Sequence, residues 1–193
     1  MNSEIHNCRR GPTSFWMQSP QAVFDVLNLQ SGQTFLDLGC GTGDYSWEAL
    51  GYVGEQGSVY AVDCRKESIA QLSFEAADKG LSNMYPILGD ITDSLSLKDN
   101  SVDLALLSTV LHSLDRERDF HPLFNELTRV LKKNGAVAIL ECHKKRKGFG
   151  PPEHVRISSD ELGAFLKPYG FHLNVLKEME HNYLALFRLE KIS

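Results

Sequence analysis

The sequence predicts an α/β fold in which a mainly parallel sheet carries helices on both faces. Two observations predict it. The segment Phe35–Gly43 is an apolar strand pattern that runs directly into three glycines spaced two residues apart. Over the rest of the chain, short apolar runs alternate with longer helical patterns, which is typical of strands joined by helices. We therefore expect a doubly wound α/β architecture.

The length of the chain indicates one domain. Its 193 residues, 42% of them hydrophobic, are enough for a single core and few for two. We therefore predict one domain over residues 1–193. Within it, residues 1–19 contain Gly11, Pro12 and the apolar run Phe15–Met17, which predicts an irregular lead-in that could act as a lid.

The charge of the chain argues against a dedicated nucleic-acid binder. The formal net charge is -5 and the pI is about 5.8, so there is no overall basic footprint. The basic run Lys144–Lys147 is read as a solvated loop, with an anion-attracting rim as the alternative. We expect a small-molecule substrate and no nucleic acid, and the oligomeric state is left open.

Targeting signals and metal-ligand spacings are both missing from the sequence pattern. The polar start has no apolar signal region and no run is long enough to span a membrane, so we predict a cytoplasmic protein. The cysteines are scattered without metal-ligand spacing. We therefore predict reduced thiols and no metal site; the cysteines are Cys8, Cys40, Cys64 and Cys142.

The first elements follow from turn and capping residues. Ser19 and Pro20 suit the N-cap and first turn of a helix that continues over Gln21–Leu29. Phe35–Leu38 is apolar on both faces, as a central parallel strand should be. A second helix is predicted to open around Tyr45, directly after the glycines.

The next two strands are separated by a long helix. Ser58–Val62 predicts a strand, and Glu67–Lys79 predicts a helix that Gly80 closes. A third strand is predicted over Met84–Leu88. Because Pro86 removes one ladder hydrogen bond, this strand should lie at a sheet edge.

The second half of the chain continues the alternation. Val102–Leu107 predicts a fourth strand, and Glu117–Leu131 predicts a helix that stops at the segment Lys132–Gly135. Ala136–Leu140 is a fifth, strongly apolar strand. The loop 143–156 that follows is rich in charge, glycine and proline.

The last elements are a capped helix and a hairpin. Ser158 and Glu161 have the spacing of a capping box and predict a helix toward Lys167. Phe171–Leu176 and Tyr183–Leu189 are separated by a short polar connection, which predicts an antiparallel pair.

Acidic side chains follow two of the predicted strands. In an open parallel sheet, ligands bind outside the carboxyl ends of the strands. Asp63 lies about 20 residues beyond the glycines, where a carboxylate accepts hydrogen bonds from ribose hydroxyls. Asp90 could accept from an adenine amino group, with Ile91 covering the ring. Each is also compatible with an ordinary turn residue, and it is their combination that predicts a cofactor site.

These motifs together resemble the class I S-adenosylmethionine-dependent methyltransferases. The chain is similar to the subgroup related to ubiquinone and menaquinone biosynthesis methyltransferases (type 11). The resemblance covers nearly the whole chain from about Gln21. It is carried by the segments Asp37–Gly43, Ala61–Asp63, Leu88–Ile91, Ser101–His112 and Arg129–Gly135.

The resemblance implies a Rossmann-like sheet of seven strands in the order 3-2-1-4-5-7-6, with strand 7 antiparallel and helices on both faces. It implies S-adenosylmethionine as cofactor and S-adenosylhomocysteine as product. It also implies cofactor contacts at the methionine end, the ribose, the adenine and the backbone rim. The residues concerned are, in that order, Asp37, Gly39, Gly41 and Gly43, then Asp63, then Asp90 with Ile91, then Ser108.

Electrostatics favour this cofactor over a dinucleotide. Acidic groups such as Asp37 and Asp44 suit a sulfonium and an ammonium, whereas they repel a pyrophosphate. We therefore predict methyl transfer to a small molecule by in-line displacement. The alternatives are an NAD(P)-dependent oxidoreductase and a non-catalytic binding module with the same fold.

Few residues are candidates for catalysis and acceptor binding. His112 follows the fourth strand and could take a proton from the acceptor, with a packed structural histidine as the alternative. Four residues near the fifth strand could bind the acceptor, or could be loop and ion-pair residues instead. They are Glu141, His143, His154 and Arg156.

Overall fold

A seven-stranded sheet organises the computed structural model, which describes residues 14–144 and 150–191. The strands are β1 (Thr34–Leu38), β2 (Ser58–Asp63), β3 (Met84–Leu88), β4 (Val102–Ser108), β5 (Leu131–Cys142), β6 (Phe171–Glu178) and β7 (Asn182–Leu189). Their order in the sheet is β3-β2-β1-β4-β5-β7-β6. The first five strands pair in parallel, and β7 is antiparallel to both β5 and β6. The predicted sheet order is confirmed, and so is the edge position of β3.

Helices cover both faces of this sheet, as predicted. The described residues form α1 (Pro20–Leu27), α2 (Asp44–Val53), α3 (Lys66–Asp78), α4 (Phe120–Val130) and α5 (Ser159–Leu166). Side chains of α1, α2 and α3 pack in one buried cluster, and those of α4 and α5 pack in another. Because strand side chains alternate between faces, Phe35 enters the first cluster and Leu36 the second. The two clusters are the two cores on either side of one sheet.

The start of α4 lies three residues later than the sequence predicts. The carboxylate of Asp115 accepts hydrogen bonds from the N–H groups of Glu117 and Arg118, at 3.0 and 3.1 Å. These bonds form an Asx turn, an alternative to helical pairing. The helix consequently begins at Phe120 rather than at Glu117.

The end of α4 also differs, because a strand replaces the last predicted residue of the helix. Leu131 has an extended backbone and pairs with Val102. The segment from Lys132 to Gly135 therefore belongs to β5, and the Lys132 ammonium lies 2.7 Å from the Asp103 carboxylate. Pairing between strands has outcompeted the local preference for helix.

The capping box at α5 is confirmed. The Ser158 hydroxyl accepts the Glu161 N–H at 3.3 Å, and the Glu161 carboxylate accepts the Ser158 N–H at 2.9 Å. Lys144, the described part of the basic run, forms an ion pair with Glu161. Residues 145–147 of that run lie outside the described residues.

We expect Ser158→Ala to lower the free energy of unfolding by about 1 kcal/mol, since the N-terminal amides of α5 lose their acceptor. Ser159→Ala is the matched control, because that residue occupies the first helical position and does not cap. Urea denaturation of both variants measures the difference. Equal losses would contradict a capping role for Ser158.

The described end of the lead-in packs on the start of α2. The Phe15 ring lies 5.0 Å from the Tyr45 ring in an edge-to-face arrangement, while Trp16 is 76% exposed. Gln18 donates to the Tyr45 hydroxyl at 2.6 Å and accepts from the Asn182 amide at 3.0 Å. Residues 14–19 are thereby tied to α2 and β7, and residues 1–13 lie outside the described part of the chain.

Among the described residues, the prediction of reduced thiols was wrong at Cys64, and Cys8 lies outside the described part of the chain. Cys40 and Cys142 are free, whereas Cys64 is disulfide-bonded. Burial raises the pKa of both free thiols above the ordinary value for cysteine. Neither free thiol is therefore an activated nucleophile.

Candidate functional site

The three glycines after β1 form a turn that only glycine adopts readily. Gly39, Gly41 and Gly43 have φ values of +73°, +59° and +81°. The Gly39 N–H donates to the Val62 carbonyl oxygen at 2.8 Å, which holds the turn against β2. α2 begins immediately afterwards at Asp44. The turn therefore leads the chain from the carboxyl end of β1 into a helix N-terminus.

Two neighbouring side chains lie close to the glycines of this turn. A Cβ at Gly39 would lie 2.6 Å from Val110 Cγ2, and a Cβ at Gly43 would lie 2.6 Å from Leu72 Cδ1. Both distances are shorter than real carbon contacts. A methyl group added at either position would force the neighbouring side chain to shift, so packing within the protein favours glycine there in addition to any contact with a ligand.

Asp63, at the end of β2, reaches across to the glycine turn. Its Oδ2 accepts the Gly41 N–H at 2.8 Å, and its Oδ1 accepts the main-chain N–H and Nε–H of Arg65 at 2.9 and 3.1 Å. An ionised carboxylate offers about four acceptor positions, so three bonds leave room for another. Asp63 both braces the turn and keeps an acceptor for a hydroxyl group.

Asp37 is a fully buried carboxyl group beneath the same turn. Its Oδ2 accepts the Ser46 hydroxyl of α2 at 2.6 Å. Burial raises the pKa of Asp37 to about 7, and the negative charges of Asp63 and Asp44 add to the rise, while the Ser46 hydrogen bond opposes it. Asp37 therefore exchanges a proton near neutral pH.

This raised pKa predicts a pH-dependent stability. Between the ordinary value of 3.8 and about 7, the folded state holds a proton on Asp37 that the unfolded state has lost. The free energy of unfolding should therefore fall as pH rises through this window, by roughly 1.4 kcal/mol per pH unit, and level off above it. Asp37→Asn should remove that contribution. Urea denaturation from pH 4.5 to 8 would show it; parallel pH curves for the two proteins would contradict the assignment.

Asp90 and Ile91 follow β3, on the same edge of the sheet. The Asp90 Oδ1 accepts the Thr92 N–H at 2.9 Å and the Thr92 hydroxyl at 2.7 Å, and Ile91 is buried. These bonds orient the carboxylate from its own loop. The roles of both residues toward adenine stay predictions.

The end of β4 carries backbone strain. Ser108 is the last residue of the strand, and Thr109 has a φ of +54°. This left-handed conformation is a genuine outlier for a β-branched residue. The Thr109 N–H donates to the Leu140 carbonyl oxygen at 2.7 Å, which holds the strained residue in place. Such strain concentrates at functional sites, and it redirects the chain toward His112.

His112 lies in a short 3-10 turn, Leu111–Ser113, and contacts a buried carboxylate. Its Nδ1 is 3.2 Å from Glu141 Oε2, and Glu141 Oε1 accepts the Leu111 N–H at 2.8 Å. Glu141 is 1% exposed near the carboxyl end of β5. The structure thus places Glu141 behind His112, where it binds the histidine turn.

The remaining predicted acceptor residues lie in the loop after β5. Arg156 is buried and donates to the carbonyl oxygens of Pro151 and His143 at 2.6 and 2.8 Å. His143 Nδ1 lies 3.4 Å from a Glu178 carboxylate oxygen, and His154 lies exposed in the turn Glu153–Val155. These three are not brought together with His112 and Glu141 by any of these contacts.

Residues that support the site were missed by sequence reasoning. Arg65 and Ser46 bind the two carboxylates nearest the turn, and Val110 and Leu72 fill the space beside its glycines. The role of Arg65 could have been predicted, because it lies two residues beyond Asp63 and its side chain can reach that carboxylate. The packing partners carry no such signal, because they come from distant parts of the chain.

Two features are absent from the described residues. In residues 14–144 and 150–191, no three histidine, cysteine or acidic side chains are grouped closely enough to hold a metal ion. Across the same ranges, no helix combines the length and the apolar character that crossing a bilayer requires.

The chain matches known proteins over most of its length. A family model described as "Methyltransferase domain" matches residues 29–182. The chain is 30% identical over 115 residues to a demethylmenaquinone methyltransferase of Oceanobacillus iheyensis, covering 60% of this chain and 47% of the relative. It thus spans about half the length of that relative. It is also 27% identical to a probable cobalt-precorrin-6B C(15)-methyltransferase (decarboxylating) of Methanosarcina acetivorans, covering 81% of this chain and 85% of that one.

A solved structure shares the fold over nearly the whole chain. A SAM dependent methyltransferase from Aquifex aeolicus has a TM-score of 0.81 and 27% sequence identity, and the match covers 93% of this chain and 94% of that one. A putative type 11 methyltransferase from Sulfolobus solfataricus, at 18% identity and a TM-score of 0.68, shares the fold.

Proposed function

Since the chain belongs to the methyltransferase-domain family, we propose that it transfers the methyl group of S-adenosylmethionine to a small-molecule acceptor. The observation that carries the proposal is the set of acidic side chains at the carboxyl ends of three neighbouring strands. Asp37, Asp63 and Asp90 come from three strand ends on one edge of the sheet. This charge suits a ligand with a sulfonium, an ammonium and a ribose.

The residues present fit this cofactor better than a phosphorylated one. Asp44 lies in the first turn of α2, where its negative charge would repel a pyrophosphate. A methionine carboxylate is a smaller anion that the N-terminus of α2 can favour. Asp63, with an acceptor position left, would hold the ribose, and Asp90 with Ile91 would hold the adenine.

The reaction asks the protein mainly for positioning. When bound, S-adenosylmethionine supplies an electrophilic methyl group with a good leaving group. The chain's own contribution is to hold the acceptor in line with that methyl group and to receive any proton that the acceptor loses. His112, beside the strained end of β4, is the residue that we assign to receive it.

Calorimetric titration tests the cofactor assignment. We expect binding of S-adenosylmethionine and S-adenosylhomocysteine, and no heat of binding with NAD(H) or NADP(H). Binding of a nicotinamide cofactor without S-adenosylmethionine would overturn the proposal in favour of an oxidoreductase.

A screen for S-adenosylhomocysteine release tests the activity. The panel of small molecules should include a demethylmenaquinone and a cobalt-precorrin, after the names of the two relatives. Release with at least one acceptor is the expected result. Cofactor binding with no release across the panel would favour a non-catalytic binding module instead. The cytoplasmic location also stays a prediction.

A further inference from the structure

Glu141 and His112 are joined in a way that assigns a direction to proton transfer. We infer that Glu141 is a positioning residue which keeps the His112 proton on Nδ1, so that Nε2 is the acceptor for a proton leaving the methyl acceptor. This inference rests on the proposed methyl transfer. It implies a class of substrate whose reacting oxygen, nitrogen or carbon carries an ionisable proton.

The Glu141 carboxylate is fixed by two donors at once. Oε1 accepts the Leu111 N–H at 2.8 Å, and Oε2 lies 3.2 Å from His112 Nδ1. Its side chain is 2% exposed, whereas that of His112 is 25% exposed. β5, which carries Glu141, is paired on both sides by β4 and β7. Glu141 is therefore held rigidly behind a histidine that still reaches solvent.

This arrangement selects one form of the neutral imidazole. A neutral histidine has one N–H donor and one bare nitrogen, and an ionised carboxylate can only accept. The contact with Glu141 is therefore a hydrogen bond only if Nδ1 carries the proton. The lone pair is then on Nε2, on the side of the ring away from Glu141.

Other ionisable groups beside Glu141 do not compete for this role. Tyr183, its cross-strand neighbour, donates its hydroxyl to the Ile157 carbonyl oxygen at 3.0 Å. Burial raises the pKa of Tyr183 far above its ordinary value, and the charge of Glu141 raises it further. Burial likewise raises the pKa of the adjacent Cys142 thiol. Both groups keep their protons, and His112 is left as the proton acceptor in this described cluster.

The step balances without another reactant. The acceptor atom forms a bond to the methyl carbon as the carbon–sulfur bond breaks, and sulfur keeps that electron pair. The proton of the acceptor atom moves to Nε2 of His112, which becomes a cation facing the Glu141 carboxylate. Deprotonation of the product imidazolium by water restores the starting state.

Glu141→Gln separates positioning from mere packing, because it preserves size and changes the hydrogen-bonding pattern. A glutamine amide has one accepting oxygen and one donating NH₂ group. If its oxygen keeps the Leu111 N–H, its NH₂ must face His112 Nδ1. The imidazole proton then moves to Nε2, and Nε2 can no longer accept a proton from the substrate.

Nitrogen-15 NMR of histidine-labelled protein reads this proton directly. We use the full chain at pH ~8.5, where histidines in proteins are generally neutral, with and without S-adenosylhomocysteine. The chain has seven histidines, so His112→Asn identifies the signals of interest. We expect the protonated nitrogen to be Nδ1 in the unmodified protein and Nε2 in Glu141→Gln.

Asp103→Asn is the matched control. Like Glu141, Asp103 is a carboxylate with two donors, here the Thr34 N–H and Lys132, but it is only partly buried and lies near the opposite end of β4. It should leave the His112 proton on Nδ1. If Glu141→Gln does not fold, the unmodified protein still decides, because an Nε2 proton there would overturn the inference. An unchanged Nδ1 proton in a folded Glu141→Gln protein would also overturn it. Failure of the proposed function would show separately, as absence of S-adenosylhomocysteine binding in the calorimeter.

Discussion

Gly39→Ala is expected to destabilise the protein by about 2–5 kcal/mol, a large loss for a single methyl group. Two costs add. An alanine at a φ of +73° adopts a left-handed conformation at a cost of about 1–2 kcal/mol. Its Cβ would also lie 2.6 Å from Val110 Cγ2, and overpacking of this kind costs about 1–3 kcal/mol.

Gly32→Ala separates the two costs. Gly32 has a φ of +81°, and a Cβ there would meet no atom within 4 Å. The Gly32→Ala variant should lose about 1–2 kcal/mol of stability, which is the cost of the left-handed conformation alone. Urea denaturation of both variants measures the difference. Equal losses of stability in the two variants would mean that Val110 can shift without an energetic penalty.

A second substitution should recover part of the loss at Gly39. Val110→Ala removes the methyl groups that the new Cβ would meet, so the double variant should be more stable than the sum of the single effects predicts. Because Val110 directly precedes the turn that carries His112, Gly39→Ala should also slow methyl transfer. Additive effects would contradict direct contact between the two sites.

Asp63→Ala is expected to weaken S-adenosylhomocysteine binding by about 1.5–3 kcal/mol, or roughly 10- to 150-fold in Kd. The variant loses a charged acceptor for the ribose. It also releases the Gly41 N–H and Arg65 from their hydrogen bonds. The glycine turn should therefore become less rigid as well.

Calorimetric titration checks the prediction, with Asp103→Ala as the control. That residue is a carboxylate with an N–H partner at the far end of the sheet, so its loss should cost stability and leave Kd unchanged. Asp63→Asn keeps one accepting oxygen, so its Kd should lie between those of Asp63→Ala and Asp103→Ala. Unchanged affinity in Asp63→Ala would refute the ribose assignment.

Local signals account for the parts of the fold that the sequence predicts well. The capping box of Ser158 and Glu161 lies within four residues, and Pro86 marks the edge strand by itself. The boundary between α4 and β5 was wrong because Leu131 pairs with Val102, and no local window contains both. Because the candidate residues lie at the ends of predicted strands, the sequence places them at one edge of the sheet. It does not say which side chains touch.

The contacts inside the site come from residues far apart in sequence. Glu141 was proposed as an acceptor-binding residue, and its partners, Leu111 and His112, lie 30 and 29 residues away. Val110 and Gly39 meet across an even longer separation. Such contacts depend on strand register and on the backbone strain at Thr109, which residue type alone does not reveal.

The order of the strands has a consequence for synthesis of the chain. Of the described strands, β7 is the last to be synthesised, yet it lies between β5 and β6 and is the only described strand that pairs with β6. Until residues 182–189 leave the ribosome, β5 presents an unpaired apolar edge and β6 has no strand beside it. The hydrogen bond between Gln18 and Asn182 likewise forms only after β7 is made, because the two residues are 164 positions apart. Completion of the sheet therefore depends on the synthesis of β7, and until then the nascent chain exposes an apolar edge of the kind that promotes aggregation.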